Sequence, residues 1–182
     1  MRVISGTAKG RRLFAPKSHS IRPALDKVKG AIFNILFDVE GLTVCDIFAG
    51  TGAVGIEALS RGASFCTFVD SGREATGIIQ KNIELCKFEG VTKIFPTRAD
   101  VAIEYLQKHA QKFDLIFVDP PYQKDLVNPT LEQISAAGLL ADGGKIIVEH
   151  SPKEPISEIS GLALTDTRKY GQTFISFLCH KQ

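Results

Sequence analysis

The sequence predicts a doubly wound α/β protein on a mostly parallel seven-stranded sheet that ends in an antiparallel hairpin. Three observations predict it. From Thr43 onward, short apolar runs rich in β-branched residues alternate with amphipathic stretches of helical period. A glycine-rich turn, "FAGTGAVG", joins the first of these runs to a helix. The last two runs flank only "YGQ", too little chain for the crossover that a parallel pair needs.

Each element has its own signal. "RVISGTAKGRRLFAP" alternates about a glycine-containing centre and reads as an N-terminal β-hairpin extension, with residues 16–23 as loop. Asp26 is placed to cap a helix whose Val28, Ile32, Ile35 and Leu36 form one apolar stripe. Strands are expected over 43–48, 64–70, 93–97, 113–118, 145–149, 162–169 and 173–180, and helices over 53–61, 73–87, 101–109 and 126–136. There is no internal repeat and no linker long enough to divide the chain. One domain over 1–182 is therefore expected, with 1–24 as a basic hairpin and loop and 25–182 as the core.

Composition narrows the class. With 44% apolar and 23% charged residues, the chain has the balance of a water-soluble domain. No apolar run approaches the ~20 residues of a membrane span, and the N-terminus lacks the apolar segment of a secretory signal, so a cytoplasmic location is expected. Cys45, Cys66, Cys86 and Cys179 form no close pair, and no two of the four histidines are spaced to share a helix face. No metal site is expected. The charge is uneven: the first 29 residues hold eight Lys and Arg against one acid, leaving 14 basic and 19 acidic residues beyond them. Such an arm suggests a polyanionic partner, with Arg2, Lys9, Arg11, Arg12 and Arg22 as phosphate contacts.

The glycine turn admits two cofactor classes. Gly50, Gly52 and Gly55 match G-x-G-x-x-G, and Asp70 follows at the end of the second strand, where an acid would bind a ribose. A dinucleotide would place its pyrophosphate at the helix N-terminus. S-adenosylmethionine offers an ammonium instead. Asp46, just before the glycines, would repel a pyrophosphate and accept from that ammonium. Asp100 could accept from the adenine amino group while the Val101 amide donates to a ring nitrogen. Further on, "FDLIFVDPPYQK" ends a buried strand in a carboxylate, two prolines that fix two φ angles, and an aromatic ring.

These motifs carry a resemblance. "DIFAGTG", the acids ending the second and third strands, and "DPPY" look like the successive motifs of Rossmann-like class I S-adenosylmethionine methyltransferases that act on exocyclic amino groups. "MRVISGTAKGRRL", "RPALDKVKGAIFNIL", "FAGTGAVGIEALSRGA" and "RKYGQT" resemble the RsmD family, which methylates guanine N2 in 16S ribosomal RNA of the small subunit. Ala24 stands where that family usually has Thr, and Gly30 where it usually has Glu. The resemblance implies a cofactor site of Asp46, Phe48, Ala49, Gly50, Thr51, Gly52, Asp70, Asp100 and Val101. It also implies a catalytic turn in which Asp119 and the Pro120 carbonyl accept the amino hydrogens, Pro121 holds the turn, and Tyr122 stacks on a base taken out of its stack. A ring acting only by stacking would not need its hydroxyl. The implied partner is 16S RNA in the small subunit or an assembly intermediate, with the enzyme a monomer. Alternatives are a DNA adenine-N6 methyltransferase, a non-catalytic RNA-binding module and a nicotinamide oxidoreductase. Carbon-5 pyrimidine methylation would need a thiolate that this turn lacks.

Overall fold

A computed structural model describes residues 1–16 and 23–181, with side chains from Asp26 onward in the second span. The elements run α1 (Pro23–Leu36), β1 (Thr43–Ile47), α2 (Ala53–Ser60), β2 (Phe65–Val69), α3 (Arg73–Cys86), a 3-10 turn (Glu89–Val91), β3 (Thr92–Phe95), α4 (Ala99–Lys108), β4 (Phe113–Val118), α5 (Val127–Ala136), β5 (Leu140–His150), β6 (Leu162–Tyr170) and β7 (Thr173–His180). The seven strands lie in the order β3-β2-β1-β4-β5-β7-β6. The first five are parallel, and β7 runs antiparallel to both its neighbours.

Side-chain alternation along the strands makes two cores. Val44, Cys66, Phe68, Leu115, Phe117 and Ile147 face α1, α2 and α3, whereas Cys45, Ile47, Val69, Ile116, Ile146 and Val148 face α4 and α5. Burial pushes the Cys45 and Cys66 thiols far above their ordinary range, with the nearby Asp46 carboxylate adding to it. They serve as small core residues, as the sequence suggested. Gly55 lets α2 lie against β2, because a Cβ there would come within 2.4 Å of the Phe68 ring and 2.6 Å of Cys66 Sγ.

Several boundaries differ from expectation, and four of the differences have a visible physical reason. The first helix starts at Pro23 rather than at an Asp26 cap, since Pro suits the first helical position. Asp26 instead accepts from the Arg2 amide at 3.4 Å. Likewise α4 begins two residues early, which puts Asp100 in its first turn. The fifth strand begins at Leu140, and its register against β4 slips between Phe113 and Leu115, so residues around Gly143 loop out within the strand. The N-terminal hairpin shrinks to one antiparallel bridge, Arg2 to Arg12. Four of its donors go to α2: Ile4 and Ser5 amides reach the Glu57 carboxylate at 2.8 and 3.0 Å, and Thr7 and Ala8 amides reach the Ser60 carbonyl and hydroxyl at 2.7 and 2.9 Å. The arm thus satisfies its backbone partly across its own turn, where the Val3, Gly10 and Leu13 amides reach the Arg11, Val3 and Met1 carbonyls, and partly against a helix.

Candidate active site

In a sheet of order 3-2-1-4-5, the crossovers after β1 and β4 leave to opposite faces, so a crevice opens between their C-terminal ends. Four acids stand at or near the ends of adjacent strands: Asp70 after β2, Asp46 in β1, Asp119 after β4 and Glu149 in β5. Sequence reasoning named the first three. Glu149 was missed, although an acid ending "IIVE" repeats the signal that singled out the others.

The glycine turn is built around two of these carboxylates. Phe48 adopts φ 63°, an unfavourable conformation for a side chain that large, and it turns the chain sharply off β1. Ala49 then donates to the Val69 carbonyl at 3.0 Å. Asp70 accepts from the Gly50 amide through Oδ2 and the Gly72 amide through Oδ1, both at 2.8 Å, and so ties the two strand-end loops together. Asp46 is buried, and its Oδ2 accepts from the Gly55 amide at 3.0 Å. Desolvation raises its pKa to about 7, the Gly55 hydrogen bond opposes this, and the Asp70 charge adds to it. An arriving ammonium group would be its natural counter-ion.

At the far side of the turn, Asp100 makes a two-point ion pair with Arg98, at 3.0 and 2.7 Å. That hydrogen bond holds the exposed carboxyl below its ordinary range. Val101 presents an exposed apolar side chain beside it, and the two border a groove of about 330 Å³ between α4 and α5. Asn82 is the residue here that sequence reasoning missed. Its buried amide donates to the Thr51 carbonyl at 2.9 Å and the Phe14 carbonyl at 3.1 Å, and accepts from the Phe14 amide at 2.7 Å. One side chain thereby joins α3, the glycine turn and the N-terminal arm. A polar residue inside the apolar stripe of Ile78, Ile79, Ile83 and Cys86 was the available signal.

Beyond β4, Pro120 is buried while Asp119, Pro121 and Tyr122 reach solvent. The protein around Asp119 raises its carboxyl well above the ordinary range, and the carboxylates of Glu149 and Asp46 reinforce this. Because the side chain also meets water, solvent screens part of that effect. The Tyr122 hydroxyl donates to Glu149 Oε1 at 2.8 Å and lies 3.0 Å from Thr173 Oγ1. Partial burial, followed by the nearby carboxylates, raises the phenol's pKa. Its hydroxyl thus tethers the ring, a role the sequence did not indicate. Thr173 opens β7, so the tip carrying "YGQT" touches the D-P-P-Y turn. Behind it, the Glu154 carboxylate accepts from the Gln123 and Asp125 amides at 2.8 and 3.0 Å. It holds a turn in which both residues have positive φ. Nothing in "SPKEP" marked that role.

The basic arm is less free than its composition implied. Arg2, Lys9 and Arg12 are exposed. Arg11, however, directs its guanidinium to the Leu85 carbonyl, a favourable partner in the last turn of α3. Arg22 lies outside the described residues. Lys29, which the charge count included, is buried against Glu57 at 3.2 Å.

Strand order, the antiparallel β7 and the acid-rich crevice together define a class I methyltransferase of Rossmann-like fold. The family model described as conserved hypothetical protein 95 matches residues 1–179. A candidate rRNA methyltransferase of Bacillus subtilis, YlbH, is 37% identical over 97% of each chain. Ribosomal RNA small subunit methyltransferase D of Escherichia coli is 35% identical over 82% of this chain and 74% of its own. Among solved structures, a candidate methyltransferase of Escherichia coli, yhhF, superposes with a TM-score of 0.86 at 28% identity, covering 100% of this chain and 98% of that one. The chain belongs to the RsmD family of methyltransferases.

Proposed function

We propose that this chain, acting as one domain and as a monomer in the cytoplasm, transfers a methyl group from S-adenosylmethionine to the exocyclic N2 of a guanine in 16S ribosomal RNA. The substrate is the small subunit or one of its assembly intermediates. The observation that carries this reading is the pairing of a glycine turn flanked by Asp46 and Asp70 with a D-P-P-Y turn on the next strand of one crevice. The names borne by the relatives support the ribosomal substrate.

The residues divide the work. Asp46 faces the ammonium, Asp70 the ribose, and Asp100 with the Val101 amide the adenine, while the backbone from Phe48 to Gly52 lines the amino-acid end. When bound, the cofactor supplies an electrophilic methyl group with a good leaving group. The target amino nitrogen is a weak nucleophile because its lone pair is delocalised into the ring. Asp119 and the Pro120 carbonyl accept its two hydrogens, which favours a pyramidal nitrogen and orients the lone pair. Pro121 restricts the ψ of Pro120, so that carbonyl stays in place. Tyr122 stacks on the base, and Arg2, Lys9, Arg12 and Arg22 meet RNA phosphates. The deciding experiment is mass spectrometry of nucleosides from small-subunit RNA of cells lacking the protein. Loss of N2-methylguanosine is expected, and its persistence would overturn the reading.

A further inference from the structure

Glu149 has no part in the roles assigned so far, yet it lies beside the catalytic turn. The last paired residues of β4 and β5 are Val118 and Val148. The next residues, Asp119 and Glu149, are therefore lateral neighbours about 4.8 Å apart along the pairing direction, with side chains on the same face. The Tyr122 hydroxyl and the more distant Thr173 hydroxyl engage only Oε1 of Glu149. Among the described residues, neither Asp119 oxygen nor Glu149 Oε2 has a hydrogen-bond partner; Asp119 is an exposed residue, and Glu149 Oε2 is not sealed from water. The crevice thus presents a row of unused acceptors, with the Glu149 end held in place by a donated phenol.

Acceptors in a row select for donors in a row. Guanine carries its N2 amino group beside an N1–H, so two adjacent positions on one edge donate. Adenine and cytosine carry their amino groups beside a bare ring nitrogen, an acceptor that would face a carboxylate. Building on the guanine-N2 reading above, we propose that Glu149 is the specificity-determining residue: its Oε2 accepts from guanine N1–H while Asp119 accepts from N2. A site built around a hydrogen bond rejects an analogue lacking that donor far more strongly than an apolar pocket rejects a missing methylene, because the unmet carboxylate is left facing a lone pair.

Substituted RNA tests this. 2-Aminopurine keeps the C2 amino group but has a bare N1, whereas 6-thioguanine keeps N1–H and alters only the C6 acceptor. Small-subunit particles carrying guanine, 2-aminopurine or 6-thioguanine at the methylated position, located first by mass spectrometry, would be compared by kcat/KM. The wild-type enzyme is expected to favour guanine over 2-aminopurine by at least ~100-fold and to accept 6-thioguanine within ~10-fold of guanine. Glu149→Gln supplies an amide that can donate to a bare N1. It should shrink the guanine preference at least ~10-fold while leaving S-adenosylmethionine affinity intact. Tyr122→Phe releases Oε1 but keeps the Oε2 acceptor, so it should shrink the preference less than Glu149→Gln does. Wild-type indifference between guanine and 2-aminopurine, or a Glu149→Gln variant slowed equally on both, would overturn the assignment. If wild-type enzyme methylates no guanine at all, the functional reading falls first and this inference with it.

Discussion

Replacing Asp46 by Asn should make the protein more stable at alkaline pH while weakening its hold on the cofactor. The carboxyl titrates near pH 7 in the fold against 3.8 when free. The folded state therefore holds this proton more tightly than the unfolded chain. The sign follows: stability falls as pH rises from the unfolded pKa to the folded one, and the full penalty stands above about pH 7. About three units at ~1.4 kcal/mol each amounts to ~4 kcal/mol. Asn removes that penalty, though its amide group, unlike the carboxylate, needs an acceptor in a buried site and can lose ~1 to 3 kcal/mol. That loss does not depend on pH. The clean quantity is thus the change in the variant-minus-wild-type difference between pH 4 and pH 8, expected near 4 kcal/mol, from urea unfolding at a series of pH values. Calorimetry of S-adenosylmethionine on wild-type protein should show affinity rising up to about pH 7 and then levelling. The Asn variant should show weak, pH-independent binding. A stability difference that is flat from pH 4 to pH 8 would refute the picture of a carboxylate held charged at the expense of the fold.

Asp119→Ala should lower kcat at least ~100-fold and leave cofactor affinity near wild type by calorimetry, because the role proposed for it is to accept from the target nitrogen. Tyr122→Ala should lose a stacking surface worth ~1 to 3 kcal/mol. Tyr122→Phe, which keeps the ring but frees it from Glu149, should fall between Ala and wild type in kcat/KM; activity equal to wild type would mean the tether is idle. Asn82→Ala removes three hydrogen bonds between α3, the glycine turn and the arm, so thermal unfolding should show a loss of ~2 to 4 kcal/mol together with weaker cofactor binding. Substituting Arg2 and Arg12 by Gln should flatten the salt dependence of RNA binding by ~0.7 per lost phosphate contact, whereas Arg11→Gln should act on stability instead, because its guanidinium already serves Leu85.

The strand and helix alternation after Thr43 was legible because both periods are local: β-branched apolar runs and 3.6-residue stripes are written into neighbouring residues. The acids ending β1, β2 and β4 were legible for the same reason, since each punctuates a run that must be buried. Side-chain partners were not legible. Glu57 and Asn82 read as ordinary helix residues until the fold brought Ile4, Ser5 and Phe14 to them from more than fifty positions away. The basic arm looked like a free cation stripe because charge can be counted along a chain, but whether a guanidinium faces solvent depends on what folds against it. Arg11 and Lys29 turned inward. The tether on Tyr122 joins β4, β5 and β7. Only an antiparallel strand inserted beside β5 could bring Thr173 to that ring. Sequence alone therefore determined the elements and the chemistry at their ends, whereas the tertiary structure decided which carboxylates are occupied by the protein's own amides and which remain open to a substrate.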